Sequence, residues 1–279
     1  MKLERVAILY NDRIPQARSL AAEMKAWAVR RVDVVEDCAI DHTLEEVCLS
    51  EVDLLVTLGG DGSILEAARL AAGHPVLILG VNLGRVGFLT EAEISQWEEV
   101  LSRALAGDYW VEERMMLRAT SWRGQEMLSE GVALNDLVVG RGARGRAVHL
   151  RAEVDGGEVT TYVADGLIVA TPTGSTAYAL AAGGPILPPQ LRNILLVPVA
   201  PHLSMERPIV LAEGATVRIT VLGHRPAILT VDGQPSAELK NRDVVKAEAS
   251  CHVARFARVR EQTYFYKGLV NRLVPRNEK

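Results

Sequence analysis

The run Asp53-Leu54-Leu55-Val56-Thr57-Leu58-Gly59-Gly60-Asp61-Gly62-Ser63 decides how the chain is read. Leu54 to Leu58 is apolar and β-leaning, the pattern of a buried central strand. Ile64, Leu65, Ala67, Ala68, Leu70 and Ala71 follow at helical spacing. Gly59 to Ser63 is therefore a tight loop between a strand and a helix N-terminus. Its glycines accept backbone angles closed to other residues and let another group approach the main chain. Amides at a helix N-terminus attract phosphate. Asp61 is out of place there, because a carboxylate beside a phosphate is repelled. Its presence makes sense if a metal ion screens it, or if it takes a proton from a hydroxyl about to be phosphorylated. The pentapeptide alone suits equally well a glycine-rich turn with a capping acid.

Outward from this loop, residues 1–110 alternate strands and helices. Val6 to Tyr10, Val32 to Val35 and Pro75 to Val81 read as strands, with a weaker segment at Thr43 to Leu49. Pro15 opens a helix to about Val29 with Leu20, Ala21, Met24 and Trp27 on one face, and Ile94 to Leu105 forms another. That alternation predicts an α/β, Rossmann-like domain with a parallel sheet. Near Tyr109 the texture changes. Residues 111–260 are short β-rich segments broken by glycine and charge, as in an all-β, sandwich-like domain. One helix, Ser175 to Ala182, interrupts them. The tail, residues 261–279, is amphipathic and is expected to pack back on the first domain.

The chain has 279 residues, 48% of them hydrophobic, enough for two domains with their own cores. A net charge of -4 argues against a nonspecific nucleic-acid partner. No apolar run approaches the length of a membrane span, and Met1 to Arg5 carries no signal-peptide core. Cys38, Cys48 and Cys251 are odd in number and far apart, so they read as reduced, partly buried thiols of a cytoplasmic protein. No cysteines or histidines stand at metal-ligand spacing, and the six histidines read as surface or packing residues.

Three further stretches are candidates for chemistry. Asn135-Asp136 lies inside an apolar run and must find hydrogen-bond partners if buried. An amide beside a carboxylate suits ribose hydroxyls or an adenine edge. A turn bonded to its own backbone is the simpler reading of that pair alone. From Ala164 to Tyr178, an apolar strand runs into Thr171-Pro172-Thr173-Gly174-Ser175-Thr176. Capping uses one hydroxyl and five residues here carry one, so the excess points to a ligand. Thr230-Val231-Asp232-Gly233-Gln234 reads by itself as an Asp-Gly hairpin. The usual phosphate loop, the Gly-x-Gly-x-x-Gly fingerprint, the nucleophile elbow and His-Glu-x-x-His are all missing.

Taken in order and spacing, Gly59 to Ser63, Asn135-Asp136, Asp165-Gly166 and Thr171 to Tyr178 resemble the NAD kinases. Asn82 to Leu89, Gly183-Gly184-Pro185, Pro201-His202 and Arg207-Pro208 fit the same pattern, which covers about residues 5 to 270. The resemblance implies phosphorylation of the 2′-hydroxyl of the adenosine ribose of NAD to give NADP. ATP or polyphosphate would be the donor, with a divalent metal, magnesium by expectation. It implies homodimers or homotetramers whose active sites lie between domains and between subunits, with no nucleic-acid or membrane partner.

By the same resemblance, Asp61 is the general base, and Gly59, Gly60, Gly62 and Ser63 hold donor phosphates. Asp61, Gly62, Asn135 and Asp136 contact NAD, Phe88 stacks near adenine, and Gln234 lies near a ribose. Asp165, Thr176, Ala177, Tyr178 and Ala181 line the rest of the dinucleotide site. Arg146 matches a dinucleotide contact by spacing only. Ser63 replaces the usual Thr, and Asp136 replaces the commoner Glu. Val163 stands where some relatives have an arginine, which puts one basic contact to phosphate in doubt. Two other readings stay open: a lipid or sugar kinase of the same superfamily, and a non-catalytic sensor of NAD or NADP.

Overall fold

The computed structural model describes residues 3–32, 34–39, 49–84, 87–142, 146–202 and 205–273. The expected segment at Thr43 to Leu49, except Leu49 itself, lies outside them. So do Cys48, His42, the Arg85-Val86 and Leu203-Ser204 pairs, and the last six residues of the tail. The chain divides into two compact units. One comprises residues 1–113 with 254–279, the other residues 114–253.

The first unit is built on a parallel sheet. Its strands are β1 (Arg5–Tyr10), β2 (Val34–Ala39), β3 (Leu54–Gly59), β4 (Leu77–Asn82) and the two-residue β5 (Ala92–Glu93). Their order is β2-β1-β3-β4, with β5 beside β4 and every pairing parallel. β1, β3 and β4 are almost wholly buried, as strands covered on both faces must be. Helices α1 (Pro15–Ala28), α2 (Asp61–Ala71) and α3 (Trp97–Leu105) provide the cover. Leu20 and Met24 of α1 and Trp97 and Leu101 of α3 share a core with Leu54, Val56, Leu58, Leu79 and Val81. α2 takes the other face: its Ile64 reaches Gly80, which alternates with Leu79 and Val81 along β4.

Three expectations are corrected here. The second strand runs over Val34–Ala39, not Val32 to Val35. The helix expected from Ile94 begins as a 3-10 turn over Ile94–Gln96, closed by a Glu93/Gln96 capping box. Ile94 is consequently 37% exposed rather than on the buried face. The loop after β3 is shorter than expected, because helical geometry starts at Asp61 itself.

The second unit is antiparallel. Its strands are β6 (Trp110–Arg123), β7 (Glu126–Ala133), β8 (Asp136–Arg141), β9 (Val148–Val154), β10 (Gly157–Ala164) and β11 (Gly166–Ala170). After the single turn of α4 (Tyr178–Ala181) come β12 (Ile194–Val199), β13 (Ile209–Leu211), β14 (Val217–Leu222), β15 (Ala227–Val231), β16 (Gln234–Leu239) and β17 (Val244–Arg258). One sheet has the order β10-β9-β14-β17, with the β6-β7 hairpin paired to β17. The other has the order β13-β12-β11-β8-β15-β16. Leu117, Leu150, Tyr162, Ile219 and Val245 from the first sheet pack with Leu137, Val139, Leu167, Leu196 and Leu229 from the second. This is a sandwich core, with β-branched and aliphatic side chains alternating inward. The helix expected over Ser175 to Ala182 is instead a 3-10 turn, Gly174–Thr176, then α4, interrupted at Ala177 (φ -98°, ψ -130°). α5 (Tyr264–Leu273) follows β17, whose end belongs to the first unit, where Phe256 pairs in parallel with Ile78. Cys251 is a free, exposed thiol rather than a partly buried one, since it stands on an outward stretch of β17.

Candidate active site

In the first unit the candidate site forms where β3 ends. Gly60 is the N-cap of α2 in an extended conformation, and the amides of Ser63 and Ile64 donate to its carbonyl at 3.0 and 3.3 Å. Asp61 is the first helical residue, where a carboxylate is favoured by the helix dipole. Both its oxygens are engaged. Oδ2 accepts the Phe88 amide at 2.9 Å and Oδ1 the Leu89 amide at 3.1 Å. The chain around Gly87 presses so closely that a Cβ added there would fall on the carboxylate. β4 supports this segment: Asn82 Nδ2 donates to the Gly84 carbonyl at 2.7 Å, and the Leu83 amide donates to Gly59 at 3.1 Å. Phe88 is half-buried, and Gly62 is exposed.

The second unit gathers a separate set at one end of β11-β8-β15. Ala170 closes β11 opposite Asp136, the first residue of β8, and Val231 closes β15 opposite Leu137. Asp232 follows, with φ +47°, then Gly233 with φ +77°. Positive φ at both central residues is what a tight two-residue hairpin turn demands, and Gln234 pairs with Val231 across it. The turn carries a second function that the sequence reading missed. Asp232 Oδ2 accepts the Leu134 amide at 2.8 Å, and Oδ1 accepts Asn135 and Asp136 at 2.8 and 3.1 Å. The Asp232 amide returns a bond to the Asp136 carbonyl at 2.8 Å. The Asn-Asp pair is thus held by a carboxylate in the turn between β15 and β16 rather than by its own side chains. Asp136 is 6% exposed. Burial, and then the negative charge of Asp232, push its carboxyl up to about 7. Burial also raises Asp232, against the three amides that pull it down.

The hydroxyl-rich loop packs on the same pair. The Thr171 amide donates to the Asn135 carbonyl at 2.8 Å, and Thr171 Oγ1 donates to Leu134 at 2.5 Å. A Cβ at Gly174 would land on the Asn135 carbonyl, so this close approach admits no larger residue. The expected surplus of hydroxyls is corrected by the hydrogen bonds. Thr171 Oγ1 also accepts Gly174, Ser175 Oγ donates to Pro172, and Thr176 Oγ1 donates to Thr173. Thr173 Oγ1 accepts Arg114 Nη1 at 3.1 Å. The loop uses these groups to hold its own shape. What it offers outward is Tyr178, 47% exposed, with Thr176 and Ala177 half-buried and Ala181 exposed.

The structure does not bring every candidate to this end. Asp165 precedes the opposite end of β11, pairs with Arg141 at 3.3 Å, and receives the Arg141 amide on its carbonyl. Five strand residues separate it from Thr171, about 20 Å of chain. Arg146 is exposed, two residues ahead of β9. Among the described residues, no three His, Cys, Asp or Glu side chains converge to hold a metal ion.

Comparison with known proteins gives one answer over nearly the whole chain. Residues 16–109 match the ATP-NAD kinase N-terminal domain, and residues 134–259 match the ATP-NAD kinase C-terminal domain. An NAD kinase of Heliobacterium modesticaldum is 43% identical over 269 residues, covering 93% of this chain and 95% of that protein. One from Geobacter metallireducens is 40% identical over 94% of this chain and 96% of its own length. An NAD kinase from Archaeoglobus fulgidus, solved in complex with ATP, superposes with a TM-score of 0.78 at 29% identity, over 96% of this chain and 98% of that one. Yeast NADH kinase, solved with NADH, shares the fold, with a TM-score of 0.87 at 24% identity over 100% of this chain and 89% of that one.

Proposed function

The chain belongs to the NAD kinase family, and we propose that it transfers the terminal phosphoryl group of ATP to the 2′-hydroxyl of the adenosine ribose of NAD, giving NADP and ADP. The observation that carries this reading is the Asp61 carboxylate, fixed at the start of α2 by two consecutive amides. A ribose hydroxyl is a poor nucleophile until a base takes its proton. Asp61 accepts that proton as the ribose oxygen bonds to the γ-phosphorus and the bond to the ADP oxygen breaks. Gly59, Gly60, Gly62 and Ser63 hold the donor phosphates. A divalent cation, magnesium first, would come bound to the donor phosphates and would supply charge neutralisation there. Positioning and charge neutralisation provide most of the rate in such transfers.

Asn135 and Asp136 take the adenosine part of NAD, and Phe88 stacks near adenine. Thr176, Ala177, Tyr178, Ala181 and Gln234 line the remainder. Asp165 also lines the dinucleotide site, and the assembly is a homodimer or homotetramer. Arg146 contacts the incoming dinucleotide. The setting is the cytoplasm; no helix among the described residues is long and apolar enough to cross a membrane.

Incubation of the purified chain with ATP, magnesium and NAD, read by an NADP-specific coupled assay, tests the proposal. NADP accumulates if it holds. Binding of NAD without turnover leaves a dinucleotide sensor, and phosphorylation of a lipid or sugar without NADP leaves a kinase of the wider superfamily. Polyphosphate and other nucleoside triphosphates, in the same assay, define the donor.

A further inference from the structure

Beneath the segment that holds Asp61 lies a buried cluster of charges within the first unit. Arg258, the last residue of β17, is 0% exposed. Its Nε donates to Glu112 Oε2 at 2.8 Å, and its Nη1 donates to Glu91 Oε2 at 3.2 Å. The Tyr264 hydroxyl reaches both oxygens of Glu112, at 3.2 and 3.1 Å. Glu91 Oε1 accepts the amides of Val259 and Arg260, at 2.9 and 2.8 Å. The guanidinium also lies over the Phe256 ring, 4.7 Å from its centre. Stability alone gives such a cluster little reason to exist, because well-packed apolar residues often serve a core as well as buried ion pairs.

One further bond supplies a reason. Arg258 Nη1 also donates to the Leu89 carbonyl at 2.8 Å. The amide of that same residue donates to Asp61 Oδ1. Leu89 is therefore gripped from both sides, by a buried guanidinium at its C=O and by the candidate base at its N–H. We infer that Arg258 is a positioning residue for Asp61, and that Glu91 and Glu112 hold its guanidinium so that it fixes the Leu89 backbone at the one orientation that aims the carboxylate. The inference rests on Asp61 acting as the base.

Arg258→Lys tests it, since an ammonium keeps the charge but cannot present the planar fork that spans Leu89, Glu91 and Glu112. Well below the unfolding temperature, kcat is expected to fall roughly 10- to 100-fold, the scale of a small misplacement remote from the chemistry. KM for NAD and for ATP should stay within about twofold, as for an interaction made only in the transition state. In an Asp61→Asn background the same substitution should change the residual rate by less than about threefold, because residues acting as a unit are not additive. Tyr264→Phe touches Glu112 but not Leu89, and should lower stability while leaving kcat within about twofold.

An unchanged kcat in Arg258→Lys overturns the inference. So does an equal loss in the Asp61→Asn background, or a loss of kcat in Tyr264→Phe as large as that of Arg258→Lys. A near-normal rate in Asp61→Asn alone removes the base itself, and is distinguishable because it needs no Arg258 variant. If Arg258→Lys does not fold, the paired Arg258→Met/Glu112→Gln substitution removes one charge of each sign and is read in the same way.

Discussion

Asp61 and Asp232 are held by the same device and left with different freedom. Each turns its carboxylate oxygens to consecutive main-chain amides: Phe88 and Leu89 for Asp61, and Leu134, Asn135 and Asp136 for Asp232. A carboxylate offers about four acceptor positions. Asp61 uses two of these on backbone amides and so keeps about two for another partner. Asp232 uses three, sits in the tight turn of its own hairpin, and faces a second buried acid, Asp136. The first arrangement aims a carboxylate and leaves room for a reactant. The second consumes a carboxylate to shape a neighbouring loop. Backbone amides alone do not make an acid catalytic; what remains open beside it does.

That contrast can be broken in several places. The largest change expected from the clamp side comes from Asp232→Ala. It strips three amides of their acceptor, each worth on the order of 1–3 kcal/mol when left unmet, so a stability loss of about 3 kcal/mol or more should appear as a lower urea midpoint. An unchanged midpoint would remove Asp232 as a clamp. Next comes Gly87→Ala. The added methyl collides with the Asp61 carboxylate, so kcat should fall roughly 10- to 100-fold while urea stability shifts little. A wild-type kcat would show that the carboxylate has slack.

The last test concerns Asp136 and pH. The folded chain holds its proton up to about pH 7, whereas an unfolded aspartate loses it near 3.9. Between those values the native state binds the extra proton. The resulting stability is full below the lower value and is lost as pH rises through the upper one, at about 1 kcal/mol per pH unit. Chemical denaturation of wild type and Asp136→Asn at pH 5, 6, 7 and 8 should therefore give a stability difference that shifts against wild type up to about pH 7. A difference flat with pH would place Asp136 in a less buried setting.

The first half of the comparison was legible in the sequence and most of the second was not. Six buried residues of β3 running into Gly-Gly-Asp-Gly announce a strand, a turn and a helix within one window. Asp232 announces only a hairpin, because its partners lie 96 to 98 residues away and no local pattern records them. The carbonyls that the hydroxyls of Thr171, Ser175 and Thr176 meet were hidden for the same reason: counting donors does not say where they point. β7 and β16 carry little strand signal in the sequence because they are half-exposed and polar, and β16 carries a proline. Glu248 to Cys251 interrupts the apolar alternation of β17, although the strand runs unbroken from Val244 to Arg258. Glu91, Glu112 and Arg258 look like surface charges in sequence, and only packing shows them buried together.

The central claim is that Asp61 is the base and that its surroundings only place it. NADP formation from ATP, magnesium and NAD by purified Asp61→Asn, set beside wild type with NAD affinity measured on both, tests this most directly. With Asp61 as the base, the variant is a folded protein that binds NAD within a few-fold of wild type and turns over about 10²- to 10⁴-fold more slowly. An Asp61→Asn protein that makes NADP at near the wild-type rate would contradict it.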